Sequence, residues 1–506
     1  MLTVVTDPFP ETVPDLLDWR AGSMPPGTWL ETPAGTWSFA DVLDETDRTA
    51  VGLASRGVVH GDRVAVLLPN RAEVHFAWFG ANRLGAIFAA LNPQYTPFEI
   101  AGQLRLTTPR VLVVDGDELR AKAMAACDQL DASQRPILAS PKELASAGRG
   151  APSVRVMPDD VAVLLATSGT TGASKAVMQT HRTYALTAES FPHWVGLTTA
   201  DRVLIALPLF HINAQAYSTM GALGAGARLS MIDRFSASRF WSDSARFGAT
   251  QCNVVGAILQ ILLKSDPHPS EREHTLRSVY AALALSEPKH VEFEQRFGVQ
   301  LLVGYGLSET TFGTVWPRTG KGPYGTMGPL RQHPRLGEVN RARVVRDDGT
   351  DVSIGEAGEL LLANPALMKG YWNDPAQTAA VLADGWLRTG DLVRSDAGDN
   401  FTFVARKKDV LRRRGENVAA AEIEVALAAH DDVLEAAAIG VPAELGEDDI
   451  VAFVAPRAGH TIDATALREW VRGRLSPHKI PSRIHVLPAL PRTATERVAK
   501  YLLKEP

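Results

Sequence analysis

The chain has 506 residues, of which 45% are hydrophobic and 22% charged, so it is long enough to form more than one hydrophobic core. Its formal net charge of -5 argues against nucleic acid or an anionic membrane as the main partner. Cys127 and Cys252 lie far apart, which excludes a Cys-x-x-Cys motif and favours a reducing compartment. The sequence contains neither a signal-peptide pattern nor an apolar run of membrane-spanning length, so we expect a cytoplasmic protein with no membrane span.

The first part of the chain alternates strand and helix patterns. An apolar run over 62–68 precedes helical periodicity over 72–84, and a further apolar run at Val111–Val114 predicts another strand. Between them, Thr96 and Glu99 have the spacing of a capping box, with a proline at the first helical position. This alternation favours an α/β domain built on a parallel sheet.

A loop of small and hydroxylated residues follows the apolar run over 161–166. Small residues allow successive backbone N–H groups to surround an anion, the hydroxyls add donors, and the final lysine adds a positive charge. Because Ala176 follows that lysine, the loop does not have the Walker pattern. We interpret it as a phosphate cradle, with a plain surface turn as the alternative. Its candidate residues are Thr167, Ser168, Gly169, Thr170, Thr171, Gly172 and Lys175.

The loop sequence TSGTTGASK resembles the phosphate loop of the AMP-forming adenylating superfamily, which includes acyl-CoA synthetases, firefly luciferase and nonribosomal-peptide adenylation domains. Six motifs, this one included, occur in the family's order over nearly the whole chain. The resemblance implies an α/β fold with a large N-terminal domain of packed α/β subdomains at residues 1–405. A small, mobile α+β lid domain at 406–506 would follow, with a hinge near Lys408.

The segment LPLFHINAQ resembles the part of the family that borders the acyl pocket, which assigns His211 to the pocket wall. Asn213 and Gln215 follow it, and either donate to a polar substrate or cap the start of a helix. The resemblance also implies that Gly304 and Gly306 lie in the substrate pocket.

Two later segments, YGLSETT and GWLRTGD, resemble the family's nucleotide-binding motifs. The first implies that Tyr305 stacks on adenine, that Glu309 is an oxygen ligand for the Mg²⁺ brought by ATP, and that Thr310 donates to the α-phosphate. The second implies that Asp391 accepts hydrogen bonds from the ribose hydroxyls. Arg406, in a segment similar to the family's domain junction, aligns with a ribose-binding arginine.

The predicted lid departs from the family pattern at two points. In RRRGEN, Arg414 replaces the first glycine of the family's GGEN turn, while Gly415 keeps the position that leaves room for pantetheine. The adjacent arginines either bind the phosphates of coenzyme A or face solvent. Near the C-terminus, Glu496-Arg497 replaces the family's Gly-Lys, whose lysine bridges the acid and the α-phosphate. Either Arg497 or Lys500 would take that catalytic role.

These motifs predict an AMP-forming ligase that uses ATP and Mg²⁺ to activate a carboxylic acid as acyl-AMP and then transfers it to coenzyme A. The segments HINAQ and RRRGEN are most similar to the branch that contains crotonobetaine/carnitine-CoA ligases, and the polar pocket favours a short or aromatic acid. Three alternatives stay open: activation of nitrite to diazotise an aryl amine in secondary metabolism, loading of a carrier protein, and nucleotide binding without catalysis. We expect a monomer or homodimer.

Overall fold

The structure is a computed structural model that describes residues 9–150, 154–168, 174–282, 285–319, 322–407, 410–413, 416–442, 448–472, 474–475, 477–492 and 498–504. These residues form three larger sheets and two smaller ones, with helices packed against them. Among the helices so described, none is long and apolar enough to cross a bilayer.

Helices and strands alternate through the first half of the chain. The helices are α1 Val13–Ser23, α2 Phe39–Ala54, α3 Ala72–Arg83, α4 Pro97–Thr107, α5 Asp117–Cys127, α6 Pro141–Ala145, α7 His181–Val195, α8 Met220–Ala225, α9 Phe240–Arg246, α10 Gly256–Lys264, α11 Glu287–Phe297, α12 Pro375–Val381, α13 Ala420–Ala428 and α14 Ala464–Arg472. The strands are β1 Thr28–Thr32, β2 Gly35–Ser38, β3 Arg63–Leu67, β4 Ile87–Ala90, β5 Val111–Val114, β6 Ile137–Ala139, β7 Val161–Ser168, β8 Ser174–Thr180, β9 Arg202–Ile205, β10 Arg228–Met231, β11 Gln251–Val255, β12 Ser278–Ala282, β13 Gln300–Leu307, β14 Thr310–Val315, β15 Arg341–Val345, β16 Gly358–Ala363, β17 Gly370–Tyr371, β18 Leu382–Ala383, β19 Trp386–Ser395, β20 Phe401–Arg406, β21 Val410–Arg413, β22 Glu416–Ala419, β23 Val433–Pro442, β24 Asp448–Pro456 and β25 Arg483–Val486.

Two of the sheets are mostly parallel. The eight-stranded sheet has the order β14-β13-β12-β11-β9-β10-β1-β2 and is parallel from β13 to β1, with antiparallel strands at both edges. The seven-stranded sheet has the order β17-β8-β7-β4-β3-β5-β6 and is parallel from β7 to β6. Helices that cover parallel strands bury both faces of a sheet. The predicted α/β domain is therefore confirmed.

Local signals in the sequence place several of these elements correctly. The capping box at the start of α4 is formed: the Glu99 N–H donates to Thr96 Oγ1 at 3.3 Å, and the Thr96 N–H donates to Glu99 Oε2 at 2.8 Å. The strand and helix patterns over 62–84 correspond to β3 and α3.

The C-terminal part of the chain has its own core. An antiparallel sheet of β15, β16, β18, β19 and β20 precedes it. Beyond that sheet, α13, α14 and the sheet β23-β24-β25 enclose a cluster that includes Ile423, Ala452 and Leu467. The two helices of this part are α13, Ala420–Ala428, and α14, Ala464–Arg472. The exact boundary at residue 405 stays a prediction.

A π-helical segment, Asn213–Thr219, lies directly before α8. The Thr219 hydroxyl donates to the Ala214 carbonyl at 2.8 Å, and the ring of His75, from α3, lies 3.1 Å from the same hydroxyl through Nε2. Such segments are rare in helices and occur mostly at functional sites. A fully buried imidazole thus helps to fix the segment that carries two of the predicted pocket residues.

The burial of His75 leads to a prediction about the stability of the fold in acid. Burial lowers the pKa of this imidazole to about 3, against about 6.5 in an unfolded chain. The unfolded state therefore binds more protons between these values, and the free energy of unfolding should fall as the pH drops from about 6.5 towards 3, by at most ~1.4 kcal/mol per pH unit. Denaturant unfolding at several pH values should show a shallower dependence in His75→Gln. Equal slopes in the two proteins would contradict a neutral, buried His75.

Gly224 allows α8 to pack closely on α7. A Cβ atom at this position would lie 1.9 Å from the Ala188 carbonyl oxygen. We expect Gly224→Ala to lower the free energy of unfolding by about 1–3 kcal/mol or more, because the two helices must separate. Gly102→Ala, in α4, is the matched control: no atom lies within 4 Å of its Cβ, so the better helix former should stabilise by ~1 kcal/mol. Denaturant unfolding measures both, and similar effects would contradict the packing assignment.

Candidate active site

Three of the predicted nucleotide-binding residues meet at one carboxylate. Tyr305 Oη, at the end of β13, donates to Asp391 Oδ2 at 2.5 Å, and Arg406 Nε lies 2.7 Å from Asp391 Oδ1. Asp391 and Arg406 are direct partners in the β19–β20 pairing. The carboxylate is fully buried, and its contacts join the eight-stranded sheet to the antiparallel sheet.

The electrostatics of this cluster fix the protonation state of the phenol. Burial, and then the negative charge of Asp391, raise the pKa of Tyr305 well above its ordinary value. Tyr305 therefore stays protonated and acts as a donor to the carboxylate. Each carboxylate oxygen has two acceptor directions, so Asp391 has the capacity to accept from further hydroxyls once a nucleotide is near.

A second cluster joins the phosphate loop to the predicted metal ligand. The ammonium of Lys175 lies 4.9 Å from the centre of the Tyr371 ring and donates to Gln377 Oε1 at 2.6 Å. The hydroxyl of the same Tyr371 donates to Glu309 Oε1 at 2.9 Å. Tyr371 is held by the pairing of β17 with β8, the strand that follows the loop. Sequence reasoning missed it, although it stands in the segment KGYWN between two recognised motifs.

The carboxylate of Glu309 suits a magnesium ion that arrives with ATP. It is half-buried, and among the described residues it forms no ion pair. No cluster of three or more His, Cys, Asp or Glu side chains occurs in the described part of the chain. A single carboxylate with phosphate oxygens and water is a common way to bind Mg²⁺. Glu309 would hold the ion, which neutralises phosphate charge.

Thr310 lies behind this turn rather than at it. Its side chain is fully buried, and its hydroxyl donates to the Phe312 carbonyl at 3.0 Å. Ser308 is half-exposed in the turn between β13 and β14, directly before Glu309. It stands between Leu307 and Glu309 in the segment YGLSETT, so the sequence already contained this second hydroxyl beside Glu309. The role of Thr310 at the α-phosphate stays a prediction, and the Ser308 hydroxyl is the more exposed of the two.

The predicted pocket residues of the π-helical region have different surroundings. The ring of His211 is partly buried, 4.4 Å from the Phe210 ring. Asn213 is buried, and its Oδ1 has no hydrogen-bond partner among the described residues. Gln215 is bonded within the protein: its amide donates to the Leu209 carbonyl at 2.7 Å, and its oxygen accepts from Tyr184 at 2.6 Å. Of the two amides, Asn213 is therefore better placed to bind a substrate.

The two predicted pocket glycines lie against aromatic hydroxyls. A Cβ at Gly304 would lie 2.5 Å from Tyr280 Oη, and one at Gly306 would lie 2.5 Å from Tyr217 Oη. Both positions therefore need glycine, because any side chain would displace a buried phenol.

The catalytic residues predicted for the lid are only partly described. Lys500 begins a short 3₁₀ turn, Lys500–Leu502, and its ammonium lies 2.7 Å from Glu424 Oε1 on α13. Lys408, Arg497 and Gly415 lie outside the described residues, as do Gly169, Thr170, Thr171 and Gly172 of the loop. The flanks of the loop are described: β7 and β8 form an antiparallel hairpin in which Thr167 pairs with Lys175.

Comparison with known proteins identifies the family. The sequence profile described as "AMP-binding enzyme" matches residues 17–372, and the profile of the "AMP-binding enzyme C-terminal domain" matches residues 422–497. The chain belongs to the AMP-binding enzyme family. The predicted resemblance is thereby confirmed.

Relatives of this AMP-binding enzyme align over almost its whole length. The crotonobetaine/carnitine–CoA ligase of Escherichia coli is 30% identical over 490 residues, covering 92% of this chain and 93% of the relative. ATP-bound MatB from Rhodopseudomonas palustris has a TM-score of 0.85 at 27% identity, covering 97% and 98% of the two chains. The o-succinylbenzoate coenzyme A synthetase (MenE) of Bacillus subtilis, with ATP and a magnesium ion, has a TM-score of 0.82 at 27% identity, covering 97% and 99%.

These comparisons confirm the predicted adenylating-enzyme fold, with its large N-terminal and smaller C-terminal domains, and the prediction of an adenylate-forming ligase. They leave the roles of single residues as predictions.

The hydrogen bond between Tyr371 and Glu309 leads to a prediction about the binding of MgATP. Tyr371→Phe removes the hydroxyl that orients the carboxylate but keeps the ring beneath Lys175. A hydrogen bond to a charged group contributes about 1.5–3 kcal/mol, so we expect MgATP to bind roughly tenfold more weakly. Titration calorimetry of MgATP tests this. Tyr501→Phe, at an exposed tyrosine, is the control, and equal affinities for the two variants would contradict the orienting role.

Proposed function

We propose that this AMP-binding enzyme is an acid–CoA ligase that forms AMP and pyrophosphate. One observation carries the proposal: β13 and its turn place Tyr305 beside Asp391 and Glu309 beside Tyr371, so that residues suited to a nucleoside and to its phosphates lie at one strand end. The matched relatives named as CoA ligases support the same activity.

The nucleoside end would be bound by the first cluster. The Asp391 carboxylate accepts from the ribose hydroxyls, and Arg406, at the edge of the antiparallel sheet, holds that carboxylate in position. The Tyr305 ring offers a flat face to adenine while its hydroxyl keeps the contact with Asp391. These roles follow from donors and acceptors that are already fixed by the fold, so little reorganisation accompanies binding.

The phosphate end would be bound by Lys175, Glu309 and the hydroxyls of the loop. In the first half-reaction a carboxylate oxygen of the acid attacks the α-phosphorus and pyrophosphate leaves with the electron pair of the broken P–O bond. Positioning and charge neutralisation are the main means of catalysis for such a transfer. Lys175 is ready for this role, since its contacts among the described residues are a neutral amide and an aromatic ring, not a carboxylate.

In the second half-reaction the thiol of coenzyme A attacks the acyl carbon; the acyl–oxygen bond breaks, AMP leaves with that oxygen and the electron pair, and the thiol proton passes to solvent. The lid would supply the residues that differ between the two steps, including Arg497 or Lys500 and the turn at Gly415. Rotation of a small domain about a short hinge gives one protein two such arrangements.

Pyrophosphate release tests the proposal against its alternatives. The enzyme is incubated with ATP and Mg²⁺ and a panel of short, aromatic and betaine-like acids, each with and without coenzyme A. Acid-dependent release together with a thioester product supports the ligase. Release that depends on nitrite and an aryl amine supports diazotisation in place of the ligase. Release that depends on a phosphopantetheinylated carrier protein alone supports carrier-protein loading in place of the ligase. ATP binding with no release by any acid favours a non-catalytic nucleotide-binding protein.

Asp391 is the residue whose loss should be most costly to nucleotide binding. We expect Asp391→Ala to lower kcat/KM for ATP by at least about 100-fold. The variant removes the proposed acceptor of the ribose hydroxyls, and it also leaves Tyr305 and Arg406 without their shared acceptor. Asp391→Asn keeps the shape and controls for misfolding. Asp117→Ala, at an exposed helix start, should retain full activity. Near-normal turnover of a folded Asp391→Ala protein would contradict the ribose role.

A further inference from the structure

Strand β19 carries a bulge at the residue predicted to bind ribose. Where β16 and β19 pair, one residue of β16, Leu360, lies opposite three residues of β19, 389–391. A bulge interrupts the regular hydrogen-bond ladder and turns a side chain in a new direction. Asp391 is the last residue of this bulge, so the conformation of 389–391 determines where its carboxylate points.

Side chains hold the backbone of the bulge. The Thr389 hydroxyl donates to the Leu360 carbonyl at 2.7 Å and accepts from the Asp391 N–H at 3.1 Å. Gly390 has a φ of 69°, in the left-handed region that favours glycine. Its N–H donates to Glu359 Oε1 at 3.3 Å. A carboxylate on the opposite strand therefore binds the residue directly before Asp391.

Glu359 is a buried carboxylate that binds two cations. Only 5% of its surface is exposed. Its Oε2 accepts from Arg388 Nη2 at 2.6 Å and from Lys407 Nζ at 3.2 Å. Loss of hydration makes a buried charge costly unless the charge is paired and hydrogen-bonded, and the two cations and the Gly390 N–H meet both conditions. The fold thus fixes the Glu359 carboxylate in place without a ligand.

The contacts of Glu359 reach both strands that carry the predicted ribose-binding residues. Gly390 directly precedes Asp391 in β19. Lys407 directly follows Arg406, which lies opposite Asp391 in the β19–β20 pairing and whose Nε is 2.7 Å from Asp391 Oδ1. Glu359 therefore joins the two strands beside the contact between Asp391 and Arg406.

We propose that Glu359 is a positioning residue, which holds the bulge 389–391 and thereby directs the Asp391 carboxylate towards the ribose hydroxyls. The inference rests on the ribose role that the proposed function gives to Asp391, and it adds a residue that acts through Asp391. Hydrogen bonds weaken steeply as their angle departs from a straight line, so a shift of the bulge weakens every bond that the Asp391 carboxylate accepts. Supporting contacts of this kind keep a binding group in its productive geometry.

Glu359→Gln tests the proposal with little change in shape. Glutamine has one acceptor oxygen, and its NH2 group would face Arg388 and Lys407 or the Gly390 N–H, all of which are donors themselves. The wild type and the variant are titrated calorimetrically with the Mg²⁺ complexes of ATP, 2′-deoxy-ATP and 3′-deoxy-ATP. We expect the wild type to prefer ATP over at least one deoxy analogue by about tenfold or more, and Glu359→Gln to lose most of this preference.

The ratio of these affinities separates positioning from a general structural role. The three nucleotides have the same base and the same phosphates. A partial loss of fold, or of the contacts to base and phosphates, therefore weakens all three equally and leaves the ratio unchanged. A displaced Asp391 carboxylate changes the ratio, because only the contacts to the ribose hydroxyls differ among the three nucleotides.

Glu356→Gln is the matched control. Glu356 also accepts from an arginine, at 2.9 Å from Arg346 Nε and 2.5 Å from Arg346 Nη2, and from a backbone N–H, that of Ser353 at 3.2 Å. It is exposed and lies in the turn before β16, outside the bulge. The same substitution there should keep the wild-type preference for ATP.

Arg388→Met is a second variant, at a residue that is only half-buried. It removes one donor to Glu359 and keeps the Gly390 contact, so the preference for ATP should fall by about twofold or more. Arg388→Lys, which retains the charge, should restore part of the preference. If Glu359→Gln does not fold, the Arg388 variants decide by the same criterion.

Hydrogen exchange of the segment 386–392 gives a readout that needs no nucleotide. Because the Gly390 N–H binds a buried carboxylate, we expect this segment to exchange faster in Glu359→Gln and at the wild-type rate in Glu356→Gln.

The outcomes separate this inference from the roles on which it rests. Loss of the preference for ATP in Glu359→Gln supports it. A retained preference, or an equal loss of affinity for all three nucleotides, overturns it and leaves the ribose role of Asp391 intact. A wild type without any preference contradicts the ribose role itself; faster exchange of 386–392 in Glu359→Gln then still supports the hold of Glu359 on the bulge, and unchanged exchange overturns it. Binding and exchange require no acid, so a failure of the ligase function appears only in the assay of pyrophosphate release.

Discussion

The Asp391 carboxylate is the contact on which the candidate site depends. It is fully buried, and it is reached by a phenol from the eight-stranded sheet and a guanidinium from the neighbouring strand of the antiparallel sheet. A buried carboxylate is tolerated only when donors satisfy it. Tyr305 and Arg406 supply those donors, so the burial of Asp391 depends on both. The contact joins the two sheets, and it positions the predicted nucleotide-binding residues on both.

Much of this molecule was predictable because local chemistry determines it. The capping box of Thr96 and Glu99 needs only a hydroxyl and a carboxylate three residues apart, and it formed as predicted. The apolar runs of β3, β5 and β7 likewise indicate buried strands of a parallel sheet. The motif residues Tyr305 and Asp391 were predicted as parts of one site through the resemblance, and the fold brings their side chains into contact.

What the sequence did not predict depends on contacts between distant segments. Tyr371 links the lysine of the loop to Glu309, which lies 62 residues earlier, and no local pattern around Tyr371 indicates that pairing. Gln215 was expected either to donate to a polar substrate or to cap the start of a helix, and in the fold Tyr184 and Leu209 use its hydrogen-bonding groups. Arg331 stands in a stretch without any motif, and its full burial appears only in the assembled fold. Burial and hydrogen-bond satisfaction are properties of the assembled fold, which single-sequence patterns cannot encode.

The long separation of the paired residues bears on how the protein acquires its activity. Tyr305 and Asp391 are 86 residues apart, and Lys175 and Gln377 are 202 residues apart, so the site is closed by contacts of high sequence separation. Such contacts form late, after the loop-closure entropy between them has been overcome. A nascent chain that ends before β19 lacks Asp391, the carboxylate predicted to bind ribose. Nucleotide binding that uses Asp391 would therefore require the chain to have folded through β19, and a ligand that binds only the native state stabilises completed chains.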